Sequence, residues 1–142
     1  MNRRSSDAGS ASVELAILTP MLLMLVVLVI AGGRIVTADL AMEHAATAAA
    51  RSASLARTPA AAHSTATSTG TRALAEQNLT CAGLQVTADT SGFGQPGGPG
   101  TVTVTLRCAV SLADLTGIPG LQAGIPLRAV FTSPVDPYRS RT

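Results

Sequence analysis

Residues 15–33 carry no charged side chain over 19 consecutive positions. In a helix such a run is about 28 Å long, close to the hydrocarbon thickness of a bilayer. In lipid the backbone must satisfy its own hydrogen bonds, so a spanning segment of this length is helical. Pro20 lies inside the run, and a proline in a membrane helix is tolerated, at most kinking it. Glu14 stands immediately before the run and Arg34 immediately after it. An acid at the mouth of a membrane segment is costly and commonly carries a function.

The segment ahead of the run holds Arg3 and Arg4 against Asp7, which favours a cytoplasmic N-terminus and places the rest of the chain outside. Three kinds of segment fit that arrangement. One is an uncleaved signal anchor. A second is a secretory signal peptide cut near Val36-Thr37-Ala38, but its apolar core would exceed the usual 7–15 or so residues. The third is a prepilin-type leader, cut on the cytoplasmic side so that the apolar helix stays on the mature chain. Only the third gives Gly9 and Glu14 separate roles.

The stretch Gly9-Ser10-Ala11-Ser12-Val13-Glu14-Leu15, with Pro20 six residues after Glu14 and a leucine- and valine-rich continuation, resembles the TadE-like proteins. These are pseudopilin or minor-pilin components of tight-adherence (Flp) pilus systems. The resemblance implies cleavage after Gly9, Ser10 as the first mature residue and Glu14 as the fifth. The alanine-rich stretch 45–51, ending in Arg51, is also similar to the family. Leu15 stands where major Flp pilins carry tyrosine, and Ser10 where general-secretion pseudopilins carry phenylalanine; both differences favour the TadE-like branch.

The physical case for these residues stands without the family. A cut after Gly9 creates an amino group on Ser10, cationic below a pKa of about 8. In a low-dielectric bundle of helices that ammonium needs a partner. Glu14 of a neighbouring helix supplies one and fixes the axial stagger. The plainer alternatives are an interfacial acid at Glu14, complementing the positive end of the helix, and a linker glycine at Gly9.

Beyond the membrane segment and its stem, about 85 residues remain, enough for one small domain. Its aromatic residues are Phe93, Phe131 and Tyr138, so the core must be built of small aliphatics, and such a domain calls for a staple or partners. Cys81 and Cys108 lie on the outward side, in an oxidising compartment. A disulfide between them would contribute about 3–4 kcal/mol; two buried thiols are the alternative. The charged residues include arginine but no lysine, and the arginines are scattered, so nucleic-acid binding has no support. Abundant alanine without lysine suggests a GC-rich bacterial genome.

Residues 11–57 read as one helix, roughly 70 Å long, whose inner half spans the membrane and whose outer half is a stem; Gly32 and Gly33 mark a junction that loosens it. Residues 59–70 read as a linker or weak helix and 71–79 as a short helix. Asn78-Leu79-Thr80 matches a glycosylation sequon, without functional weight in a bacterial chain. Residues 101–112 alternate apolar and polar side chains and predict a half-buried strand. Residues 84–89 and 125–131 alternate likewise, with Pro126 marking an edge strand. Residues 90–100 read as a flexible hairpin loop, 113–124 as a turn-rich excursion and 133–142 as a frayed tail.

The expected fold class is α+β: a long N-terminal transmembrane and stem helix packed on a small three-stranded antiparallel sheet, in the manner of pilins. The expected divisions are a leader (1–9), a transmembrane helix (10–33), a stem (34–58), a linker with a short helix (59–80), a sheet domain (81–133) and a tail (134–142). No catalytic constellation, metal-ligand cluster or cofactor motif emerges, so no enzymatic activity is expected. The function that follows is a minor pilin or pseudopilin in the cell membrane. Its partners would be other pilin-like subunits, a prepilin peptidase and the assembly platform. The alternative is an uncleaved, membrane-anchored adaptor or adhesin.

Overall fold

The computed structural model describes residues 7–94, 100–111, 113, 117 and 124–135. Helix α1, Asp7–Ser54, runs unbroken for 48 residues, about 72 Å. It begins four residues earlier than the predicted helix and passes through Gly32 and Gly33 without a break. It also passes through Pro20, which cannot donate to the Ala16 carbonyl. Immediately before it the Thr19 hydroxyl donates to the Leu15 carbonyl at 2.7 Å, so this hydroxyl is satisfied inside the apolar segment.

The helix ends in a tightened turn, with the Leu55 and Ala56 amides bonding back to the Ser52 and Ala53 carbonyls. Thr58 then turns extended, as a residue before proline does, and caps helix α2, Pro59–Glu76; its side chain accepts from the Ala61 amide at 3.2 Å. Of the two expectations for residues 59–70, a linker or a weak helix, the structure takes the helix, and it joins the short helix expected after it. The cap, Pro59 at the first turn and an alanine stripe packed on α1 together overcome the weak propensity of the serines and threonines.

Asn78 closes α2 in the left-handed conformation at φ 53°. The Leu79 amide reaches the Leu74 carbonyl at 3.1 Å and the Asn78 amide reaches that of Ala75 at 3.0 Å, a Schellman arrangement. The asparagine of the sequon is therefore a helix terminator, and Leu79 packs back on the core beneath it.

Three antiparallel strands follow, β1 (Ala82–Asp89), β2 (Gly100–Ser111) and β3 (Gly124–Val135), in the order β1-β2-β3. The predicted strands are present, and Pro126 sits on an edge strand. Leu112, read as the end of β2, lies outside the described residues. So does most of the 113–124 excursion. The β1–β2 register carries one extra residue on β1 between Ala82 and Gln85, where Gly83 takes φ +65°. Val102, Val104, Leu106, Cys108 and Val110 on β2 are all buried. They pack on a stripe of α1 at helical spacing, from Ala38 and Met42 through Ala45, Ala46, Ala49 and Ala50 to Ala53. The small alanine side chains let α1, α2 and the sheet approach closely: a Cβ placed at Gly70 of α2 would lie 3.7 Å from Ala49 Cβ and 3.4 Å from Leu106 Cδ2.

Two corrections concern segments read as loose. Ser91–Gly94 is a 3-10 turn that buries Phe93 in the core, beginning where the Asp89 carboxylate accepts from the Ser91 amide at 2.9 Å. Residues 95–99 lie outside the described residues. The tail does not begin at Ser133, because β3 continues to a buried Val135. The buried Ser133 hydroxyl donates to that of Ser54, which donates to the Arg51 carbonyl at 2.8 Å, tying β3 to the top of α1. Residues 136–142 lie outside the described residues.

Candidate assembly site on the N-terminal helix

Among the described residues, the inner half of α1 stands clear of the rest of the fold. Every residue from 12 to 30 is exposed, including the large apolar side chains from Val13 to Ile30. A buried stripe begins only at Ala38. Fully burying one Val, Leu, Ile or Met side chain contributes about 1.5–3 kcal/mol, so the run as a whole demands lipid or other helices as its surroundings. Among the described helices, α1 is long and apolar enough to cross a membrane.

Glu14 and Arg34 bracket this half at a separation of about 30 Å along the axis. Glu14 is exposed and makes no ion pair or hydrogen bond among the described residues. Gly9 and Ser10 lie in the first turn of α1, with their backbone in helical conformation. Ser10 therefore stands one turn before Glu14 on the same chain. Pro20 follows within the continuous helix. The helix thus presents an ionisable group at one end of an otherwise uniform apolar surface, and in lipid only a cation or a shared proton relieves it.

The cysteines lie in the outer domain. Cys81, just ahead of β1, and Cys108 of β2 form a disulfide with a Cα–Cα distance of 5.4 Å. It fastens β1 to β2 beside the bulge, where the ladder is interrupted. At the foot of the outer domain a groove of about 360 Å³ opens between Arg34 and Thr37 of α1 and the 77–80 turn. A second hollow, about 490 Å³, lies on the solvent face of the sheet around Arg107 and Arg128. These two arginines, 21 residues apart in the chain, were not singled out from the sequence; their outward positions in alternating strands were visible, but their adjacency depends on register. No group of three His, Cys, Asp or Glu side chains able to hold a metal occurs among the described residues.

Residues 9–51 match the family model described as TadE-like protein. The match covers α1 nearly to its end, including Gly9, Ser10, Glu14, Pro20 and the alanine-rich stem, and none of α2 or the sheet. The family is associated with tight-adherence pilus systems. Comparison with curated proteins gives no match, and comparison with solved structures gives none.

Proposed function

We propose that this chain, whose residues 9–51 match the TadE-like family, serves as a minor pilin or pseudopilin of a tight-adherence pilus system. The observation that carries the reading is the inner half of α1: apolar, wholly exposed over residues 12–30, and headed by Glu14, which has no partner among the described residues. A prepilin peptidase cuts after Gly9, and the helix remains on the mature chain. The new ammonium of Ser10 then pairs with Glu14 of a neighbouring pilin-like subunit, offset by about 6 Å along the bundle, the rise of four helical residues. Arg3 and Arg4 keep the N-terminus cytoplasmic, and the disulfide domain faces the oxidising side. The role is structural, exercised with other pilin-like subunits and the assembly platform.

The test is the mass of the mature protein recovered from cells that contain the peptidase. A chain beginning at Ser10 supports the reading; a retained leader sinks it. Glu14→Gln is expected to leave the chain in the membrane at normal abundance and to abolish pili, whereas normal piliation would refute the pairing role. The uncleaved anchor draws on the helical backbone around Gly9 and Ser10, since a peptidase must unwind that turn, and a full-length mass would select it.

A further inference from the structure

The solvent face of the sheet places two like charges side by side. Arg107 of β2 and Arg128 of β3 are direct partners in the ladder, and both are exposed. Like charges directly opposite each other weaken a sheet. Neither arginine has an ion-pair partner among the described residues. They overlook a hollow with a small-residue floor, including Gly83, Ala109 and Pro126, so an incoming group can reach both guanidinium groups.

The stem carries the opposite pattern. Asp39 and Glu43 are one turn apart on an exposed flank of α1, a like-charge spacing that disfavours an isolated helix. Neither has an ion-pair partner among the described residues. Two carboxylates on one helical turn match two guanidinium groups on adjacent strands in charge and in spacing.

The heights agree as well. Leu106 and Ala49 both adjoin Gly70, while Val110 shares the basal groove with Ala38 and Ala41, so β2 descends as α1 rises. Arg107, one strand residue below Leu106, stands near the level of helix residue 47, from a rise of about 3.3 Å per strand residue and 1.5 Å per helical residue. The centre of the Asp39/Glu43 pair lies about 9 Å lower on the same chain. The stagger of the Ser10–Glu14 pairing lifts a neighbour by about 6 Å and leaves roughly 3 Å, which a flexible arginine side chain covers.

We propose that the Arg107/Arg128 hollow of one copy receives the Asp39/Glu43 flank of a second copy of this chain, in register with the Ser10–Glu14 pairing. This rests on the assembly reading for the stagger and on charge complementarity for the partner. Because the two patches are different surfaces of one chain, the contact is heterologous and propagates.

Zero-length carbodiimide cross-linking of the full chain in membranes tests it. The chain lacks lysine, so Arg107→Lys with Arg128→Lys keeps the charge and supplies the only side-chain amines. A covalent dimer is expected, with the linked peptides joining position 107 or 128 to Asp39 or Glu43, and it should disappear when Asp39→Asn and Glu43→Gln are added. A dimer linked through other carboxylates, or no dimer, overturns the contact. A membrane-permeant carbodiimide on the wild-type chain reads the other pairing, through an amide between the Ser10 amine and Glu14. That amide without the 107/128 linkage refutes this contact alone; the 107/128 linkage without that amide upholds the contact and refutes the Glu14 pairing.

Discussion

Reducing the Cys81–Cys108 disulfide should remove a large share of the stability of the outer domain. The bridge spans a sequence separation of 27, and for a loop of that length the chain-entropy relation gives about 3.5 kcal/mol at 25 °C. A small domain has a total stability of about 5–15 kcal/mol, so this loss is a considerable fraction of it. The bridge also sits where the β1–β2 ladder slips by one residue, so β1 has little else to hold its first residues in place. Urea unfolding of the full chain in detergent, followed by circular dichroism with and without reductant, measures the effect. With a slope of about 1–1.5 kcal/mol per molar urea, the midpoint should fall by about 2–3.5 M on reduction. Cys81→Ala with Cys108→Ala should give a similar fall and become insensitive to reductant. Coincident midpoints for the oxidised and reduced chains would refute the reasoning and show that alanine packing alone holds β1.

Three further outcomes follow from local geometry. Gly70→Ala should stabilise the domain by about 0.5–1 kcal/mol, because the added methyl meets Leu106 and Ala49 at ordinary contact distance and the helix loses a glycine; a lower melting temperature would show the α1–α2 gap to be tighter than described. Asn78→Ala should cost about 1–2 kcal/mol in thermal unfolding, while Asn78→Gly should be neutral or better, since the left-handed terminator requires a residue that accepts positive φ. The Asp89 carboxylate, which accepts from the Ser91 backbone amide, is held below its ordinary pKa of 3.8. Its contribution is therefore complete above the unfolded pKa and is lost as pH falls through the lower folded value. Asp89→Ala should accelerate amide exchange at Ser91 and Phe93 at neutral pH and make no difference once the carboxylate is protonated; an equal effect at both ends of the pH range would assign the effect to something other than the charge.

Much of this architecture was legible in the sequence because its signals are local. The uncharged run ahead of Arg34 required a membrane-length helix, and the alternation in residues 101–112 marked which face of β2 is buried. Pro126 announced an edge strand. The elements that the sequence left open or misread owe their form to partners distant in the chain. Residues 59–70 are helical because Ala62, Ala66 and Gly70 find a close fit against α1 and the sheet. Phe93 and Val135 are ordered by a core whose other walls are α1 and β2.

The candidate assembly site divides along the same line. Gly9, Ser10, Glu14 and Pro20 are read from one-dimensional spacing, since a single helix carries all four and its rise converts residue number directly into distance. The pairing of Arg107 with Arg128 had no such signal. Alternation says which way a side chain faces, but its cross-strand neighbour is set by the register of two strands, and a shift of one residue would break the pair. What the sequence by itself determined was the membrane-length helix, the acid at the mouth of its uncharged run and the faces of the strands, because these follow from periodicity along one chain. Only the tertiary structure decided between linker and helix for residues 59–70, between a disulfide and two free thiols for Cys81 and Cys108, and formed the basic hollow, because each depends on contacts between segments that the chain separates and the core brings together.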